Sequence, residues 1–222
     1  GVSSSSNDAK RQRSASEKEQ EQVFMKAYAN KNDPYQGEEI IVTYKLFFNV
    51  SIKEYNFQKG FSFPGFWSKD LSDEIKQYKE FIDGKEFMVA EMKKTALFPQ
   101  KSGKITIEPV VMNLIAQVQK QGSRRTRDPF FDSFFNDPFF NNIYQNVELS
   151  IESNPLVFNV KPLPFESRPP GYSGAVGAFN IRSSIDNIKV KTNEPVTLKY
   201  IISGQGNLEL INNPDISFPP DF

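Results

Sequence analysis

The chain has 222 residues, and its 27 Lys and Arg balance 27 Asp and Glu. It therefore has no net positive charge that would attract nucleic acid or an acidic surface. It contains no His and no Cys, which excludes Ser-His-Asp and Cys-His catalysis, His or Cys metal sites and disulfides. A carboxylate pair, a Ser-Lys dyad or an oxygen-ligand cation site stays open, but no spacing of residues indicates one. We therefore predict a protein that is not an enzyme and that has no metal and no cofactor.

The chain begins with a polar segment and then changes to β-type sequence. Residues 1–22 carry no aromatic residue, so they bury too little to offset their ordering entropy, and we predict a linker or disordered segment. From Val23 onward, short runs rich in β-branched and aromatic residues are separated by Pro, Gly and Asn turn signals. The predicted strands lie at 23–28, 39–49, 61–67, 87–98, 105–107, 110–118, 147–151 and 156–160.

One segment has a different spacing. Between residues 68 and 80, Leu71, Ile75 and Tyr78 are three or four positions apart, which predicts one or two helical turns. The rest of the chain has many short strands and no long helix, a pattern that favours a β-sandwich or a barrel. No apolar run approaches the roughly 18 residues that would span a bilayer.

The sequence also contains a repeat. The stretch at 37–45 (GEEIIVTYK) is matched by 193–201 (NEPVTLKYI), 156 positions later, and 61–64 (FSFP) is echoed by 216–219 (ISFP), 155 positions later. Two matches at nearly one offset predict duplicated domains. We expect a linker at 1–22, a complete β-sandwich at 23–161, a Pro/Gly-rich connector at 162–178 and the first strands of a second domain at 179–222.

The connector and the second copy carry two further expectations. Gly174, Ala175 and Gly177 would permit close backbone approach in a packed joint, although the same residues are equally typical of an ordinary Pro/Gly linker. The strands of the second copy lack a partner sheet, so we expect them to dock on the first domain, to pair with another molecule or to stay poorly ordered.

The least usual stretch is a block of Phe residues between two prolines. Residues 128–140 (DPFFDSFFNDPFF) hold six Phe and three Asp, and DPFF occurs twice. The prolines disfavour both helix and central strand, so we predict a long loop at about 119–142. Burying one Phe is worth roughly 1.5–3 kcal/mol, which predicts that this loop packs against something. The candidate partner-binding residues are Asp128, Pro129, Phe130, Phe131, Asp132, Phe134, Phe135, Asp137, Pro138, Phe139 and Phe140.

Three interpretations of this block stay open. It folds back on its own sheet or the domain joint, or it binds a protein partner through Phe side chains that fill pockets. The third is membrane contact, because Arg124, Arg125 and Arg127 precede the block.

Several phrases together resemble the BatD, or oxygen-tolerance, family over residues 23–222. The most specific are the DPFF block at 128–135 and the connector, which reads VKPLP at 160–164 and GYSGAVGAF at 171–179. EEIIVTYKL at 38–46, LFPQKSGKITI at 97–107 and SGQGNLELI at 203–211 are weaker signals. The resemblance implies tandem immunoglobulin-like β-sandwiches in the periplasm, on a protein that is anchored in the inner membrane outside these residues.

The same resemblance implies partners but no catalytic residues. Such proteins are encoded with membrane proteins bearing von Willebrand A domains, TPR proteins and a MoxR-type ATPase, and they are linked to aerotolerance and stress resistance. If the partner is a von Willebrand A domain, Asp128, Asp132 and Asp137 could complete its divalent cation; alternatively, Asp128 and Asp137 simply cap turns before proline.

The predicted function is that of a scaffold or adaptor that works by protein–protein recognition. The alternative is a carbohydrate- or ligand-binding β-sandwich of a cell-surface protein, for which Trp67, Tyr35 and Tyr55 are the aromatic candidates.

Overall fold

The computed structural model describes residues 22–72, 74–119, 144–166, 168, 170–172, 174–191, 193–213 and 216–218. In these residues the protein is all-β, with antiparallel open sheets, and its only helical element there is a single 3-10 turn, η1 (Leu208–Leu210). The all-β prediction is confirmed. No helix in the described ranges is long and apolar enough to cross a membrane. The strands are β1 (Val23–Ala29), β2 (Ile40–Phe48), β3 (Ser51–Phe57), β4 (Phe66–Asp70), β5 (Gln77–Ile82), β6 (Lys85–Pro99), β7 (Gly103–Ile107), β8 (Val111–Gln119), β9 (Tyr144–Glu152), β10 (Leu156–Val160), β11 (Gly177–Ile185) and β12 (Leu198–Gly206).

The first sheet is organised around the long strand β6. Its order is β1-β2-β6-β4, and β5 pairs with another stretch of β6. Apolar residues alternate along β2, so that the side chains of Val42, Tyr44 and Leu46 lie on the same face of the sheet and are buried. Burial raises the pKa of the Tyr44 phenol to about 12, as expected for a phenol removed from water.

A second group of strands covers that inward face. β3-β8-β9 form one sheet and β10-β7 a two-stranded pair, and their alternating apolar residues join those of β1, β2 and β6 in one hydrophobic core. The core therefore lies between layers of antiparallel strands, the arrangement that an alternating pattern produces. Its fully buried members include Val23, Ile40, Val42, Tyr44, Leu97, Ile107, Met112 and Phe158.

The first sheet also has an aromatic cluster on its outer face. Phe47, Phe87 and Val89 are buried there, and Phe24 stacks on Phe47 with ring centroids 4.8 Å apart. Because these residues occupy the alternate positions of the same strands, β1, β2 and β6 are apolar on both faces over part of their length.

The helical turns predicted at 68–80 are wrong. Leu71 and Ile75 lie outside regular structure and Tyr78 lies in β5, which pairs with β6 from Gln77↔Ala90 to Ile82↔Lys85. Asp83 and Gly84 form the two-residue turn between β5 and β6. Both have positive φ, 50° and 77°, as in the type I′ turn that Asp-Gly favours. Asp83-Gly84 was the stronger local signal.

The second hairpin, β11–β12, repeats the first, β1–β2, in its pairing. Val23 pairs with Phe48, and the residues 156 positions later, Phe179 and Gly204, pair with each other. The same offset holds for every pair that both hairpins contain. The sequence match at 37–45 therefore corresponds to a match of β-sheet register.

The loops of the two hairpins also carry matching hydrogen bonds. Ile41 N donates to Asn30 Oδ1 over 2.9 Å, and its equivalent, Thr197 N, donates to Asp186 Oδ1 over the same distance. The turns also agree. Glu38 N donates to Tyr35 O over 3.0 Å, Glu194 N donates to Lys191 O over 3.0 Å, and φ is 74° at Gly37 and 69° at Asn193. Chemically different side chains thus form the same local structure.

Candidate interaction surfaces

All eleven candidate residues of the Phe-rich block, together with the arginines before it, lie outside the described residues. The predictions made for residues 128–140 thus stay predictions. The structure does describe the two points of attachment, because β8 ends at Gln119 and β9 begins at Tyr144, and these two residues pair directly. The block therefore belongs to a connection whose two ends leave the sheet side by side.

This connection closes a long β-ribbon. Val111 pairs with Glu152 in β8–β9, and Ile107 pairs with Leu156 in β7–β10. Three residues lie between the two pairs on each strand, so no residue is inserted, and one antiparallel register runs from Gly103↔Val160 to Gln119↔Tyr144. The separate ladders are two halves of a single ribbon.

Two prolines interrupt the ladder between these halves. Pro109 and Pro155 fall in the short gap, and proline has no N–H to give to a ladder. The buried Ser153 restores part of the pairing, because Val110 N donates to Ser153 Oγ over 3.0 Å and Ser153 N donates to Val110 O over 2.9 Å. The register is thus kept through the interruption.

Next to this interruption, Asn154 attaches the ribbon to the edge of the first sheet. Its side-chain Oδ1 accepts from Ala27 N over 2.9 Å, and its Nδ2 donates to Ala27 O over 3.1 Å. The amide therefore takes the place of a neighbouring strand at one position of β1, a common device for protecting an edge.

At the other end, the ribbon meets the connector and the second hairpin. Tyr35 and Lys161 form an isolated parallel bridge, and Val176 lies against Gly37, where an added Cβ would come within 3.3 Å of the valine side chain. The buried Asn207 fixes the base of β11–β12, because Val176 N donates to its Oδ1 over 2.8 Å. Lys69 and Glu209 form an ion pair between β4 and η1.

The close approach predicted for the connector glycines is found at Gly177 but not at Gly174, and at Gly177 it is to β12 of the same hairpin, so the packed joint between domains stays a prediction. A Cβ on Gly177 would lie 2.2 Å from Gln205 O, so close backbone approach does require glycine there. A Cβ on Gly174 would meet nothing within 4 Å, and this residue is needed only for its φ of 93°.

Two clefts open at the sides of the core. One of about 330 Å³ lies between β1 and β8–β9, and one of about 260 Å³ is lined by Phe61, Phe63, Ser68, Asp70, Lys93 and Thr95. In the second, bonds from Lys93 and from Ser72 lower the pKa of Asp70 to about 2, so the group is a carboxylate at neutral pH. Its charge is matched by Lys93, with which it forms an ion pair.

The aromatic candidates for sugar binding are not arranged as one platform. Trp67 lies in β4 and packs on Phe98 with centroids 5.2 Å apart, Tyr55 lies in β3, and Tyr35 lies in the loop before β2, with Lys161 Nζ 5.5 Å from its ring centroid. In the described part of the chain, no group of three or more acidic side chains is placed to hold a metal ion.

The hairpin β11–β12 has an exposed apolar face that no sequence prediction named. Cross-strand partners share a face, which places Phe179, Ile181, Ile185, Leu198, Tyr200 and Ile202 together. Ile181, at 60%, is the most exposed of them to solvent. The signal was present in the repeat, because the equivalent positions of β1–β2 are core positions.

Searches with this chain find no matching family model, no matching curated protein and no matching solved structure.

Proposed function

We propose that this chain is a non-catalytic scaffold or adaptor that works by protein–protein recognition. It would consist of tandem immunoglobulin-like β-sandwiches, on the extracytoplasmic side of a membrane-anchored complex of the aerotolerance type. Its partners would be proteins of the same system, with the von Willebrand A-domain proteins as the first candidates.

The observation that carries the proposal is the pairing of Gln119 with Tyr144 at the end of the continuous ribbon. Because both ends of the Phe-rich connection are held on packed strands, the block has a fixed base. Recognition sites are commonly loops that a rigid scaffold positions, and buried aromatic side chains supply a large share of the energy at protein interfaces.

The repeated hairpin supports the tandem arrangement. Matching register, matching turn hydrogen bonds and the same offset of 156 residues at every step are expected of two copies of one module. The two groups of strands around a common core are compatible with an immunoglobulin-like sandwich.

The proposal can be tested by photo-crosslinking in cells. A photoreactive phenylalanine analogue at Phe131 or Phe135 should capture a protein of the same gene neighbourhood, since we expect these side chains to be at the interface. The matched control is the same analogue at Phe81, an exposed phenylalanine on β5, which should capture much less of that protein. Equal capture from both positions would contradict the proposal.

Deleting residues 128–140 separates recognition from the other two interpretations. If the block is a recognition loop, the melting temperature stays within about 2 °C while crosslinking to the partner is lost. If the block folds back on the sheet, the melting temperature falls by more than about 4 °C, or roughly 1 kcal/mol for a domain of this size. Binding of the intact chain to anionic vesicles, abolished by the deletion, would indicate a membrane site instead.

A further inference from the structure

Polar side chains occupy part of the core-facing side of the first sheet, at its β4 edge. Asp70 of β4 pairs with Thr95 of β6, and cross-strand partners share a face of the sheet. Thr95 also pairs with Val42, a core residue, so this face is the inner one. Ser68 and Lys93 lie two positions from Asp70 and Thr95 on the same strands and therefore share it. Polar residues are uncommon at such positions unless they are paired or have a role.

These four residues line the cleft of about 260 Å³ together with two half-buried aromatic residues, Phe61 and Phe63. Ser68 and Asp70 are exposed to solvent, whereas Thr95 is only 2% exposed. The cleft therefore extends from a polar rim to a buried residue of the sheet.

The buried end of the cleft carries an unsatisfied hydroxyl. Thr95 Oγ1 is the one buried side-chain polar atom that lacks a hydrogen-bond partner within the described part of the chain. Such an atom is costly to leave unpaired, and most buried polar atoms are bonded to protein or to ordered water. Because a hydroxyl both donates and accepts, a hydroxyl-bearing molecule in the cleft would satisfy it.

The two charged groups of the cleft neutralise each other and still have bonding capacity. Asp70 accepts from Ser72 N over 2.9 Å and forms an ion pair with Lys93. An ammonium has three donors and a carboxylate about four acceptor sites, so both groups can make further hydrogen bonds. A charged ligand would have to compete with this ion pair, whereas an uncharged hydroxyl can accept from Lys93 and donate to Asp70 at the same time.

The aromatic side of the cleft favours a ligand that also has an apolar face. Phe61 is held by edge contacts with Phe57 and Tyr44, at centroid separations of 4.9 Å in both cases, and Phe63 packs against the same core. A sugar ring combines hydroxyl groups at its rim with C–H groups on its faces, which suits polar groups placed beside aromatic rings. The volume is below the roughly 300–1,000 Å³ of pockets for drug-sized ligands, so it fits one ring rather than a chain of them.

We propose that this cleft binds a single uncharged sugar ring through hydrogen bonds to Asp70, Lys93 and Thr95. The C–H face of the ring packs on Phe61 and Phe63, which are not the aromatic residues that the sequence indicated as candidates. The site is separate from the Phe-rich block, so this inference can hold or fail independently of the proposed function.

The test is a titration of the full chain with uncharged methyl hexopyranosides of the gluco, galacto and manno series, followed by amide chemical shifts. We expect at least one of them to shift the amides of Lys93 and Thr95, with a dissociation constant on the order of 1 mM, as one ring with a few hydrogen bonds supports. The amides of Lys79 and Glu86, an ion pair elsewhere in the same sheet, should not shift.

A matched pair of substitutions isolates the buried hydroxyl. Thr95→Val removes the hydroxyl but keeps the shape of the side chain, and it should weaken sugar binding at least 10-fold because the sugar loses a buried partner. The melting temperature should not fall, since this hydroxyl has no partner among the described residues. Thr43→Val, on the outer face of β2, should leave binding unchanged. Asp70→Asn, at an exposed position, should also weaken binding and does not depend on the stability of the Thr95 variant.

Three outcomes would overturn the inference. None of the sugars shifts the Lys93 and Thr95 amides at its solubility limit, or Thr95→Val and Asp70→Asn both bind sugar as tightly as the unchanged chain. The third is a larger shift of the same amides with inorganic phosphate than with any sugar, which would mean that the cleft is an anion site at Lys93.

Discussion

The hairpins β1–β2 and β11–β12 share a register, a turn and a loop hydrogen bond, yet one lies in the core and the other is largely exposed. Met25 is 3% exposed and its equivalent Ile181 is 60% exposed. The comparison separates two levels of structure. Local residues suffice to set the pairing and the turn, while burial depends on strands from elsewhere in the chain, above all β7 to β10, which face β1 and β2 across the core.

The largest expected contrast comes from truncating these two equivalent side chains. Met25→Ala should lower the free energy of unfolding by about 2–5 kcal/mol, because it leaves a cavity in the core. Ile181→Ala should change it by less than about 0.5 kcal/mol, as at other exposed positions. Urea unfolding of both variants measures this, and a similar loss in both would mean that the second face is covered in solution.

A smaller contrast is expected at the turn. Gly37→Ala should cost about 1–2 kcal/mol, because a Cβ is unfavourable at positive φ and would also crowd Val176. The matched change Asn193→Gly should be within a few tenths of a kcal/mol, since asparagine and glycine both accept this conformation. If Asn193→Gly instead stabilised the protein by as much as Gly37→Ala destabilises it, asparagine would be strained in the second turn.

The smallest effect is a dependence on pH at the loop position of Asp186. The bond from Thr197 N, together with that from Asn187 N, lowers the pKa of Asp186, and Asn30 is its neutral counterpart. A carboxyl with a lowered folded-state pKa stabilises the fold above its unfolded pKa of about 3.9, and that contribution is lost as pH falls through the folded value.

This can be followed at single amides. The Thr197 amide resonance should shift, and its protection against exchange relative to the intrinsic rate at each pH should fall, below about pH 4, near the ordinary pKa of aspartate. The protection of Ile41, which bonds to Asn30, should stay constant. Asp186→Asn should remove the dependence. Persistent titration of Thr197 in that variant would show that another group is responsible.

The fold class could be predicted because alternation and turn residues are local properties. β8, β9 and β10 lie where the alternating runs indicated, and Pro99 to Gly103 forms the predicted turn between β6 and β7. The prediction at 68–80 failed because a spacing of three or four in a short, charged segment does not distinguish a helix from a loop that leads into a strand. Pairing of β5 with β6 decided it.

The candidate sites divide in the same way. The Phe-rich block is conspicuous in the sequence by its composition alone, whereas the apolar face of β11–β12 is not, because Ile181, Leu198 and Tyr200 look like ordinary strand residues. Their exposure is evident only from the structure, in which the equivalent residues Met25, Val42 and Tyr44 are buried.

The sequence by itself determined the all-β class, the strands β1, β2 and β6 to β10, the offset of 156 residues and the exclusion of thiol and imidazole chemistry, since all of these depend on residue type and local spacing. It did not indicate β3 or β5. Tertiary structure alone decided that two proline-separated ladders share one register, that Asn154 protects the edge of β1, and that one hairpin is buried while its copy is not. Those outcomes depend on contacts between residues far apart in the chain. The residue pattern of one segment does not show which distant segment it will contact.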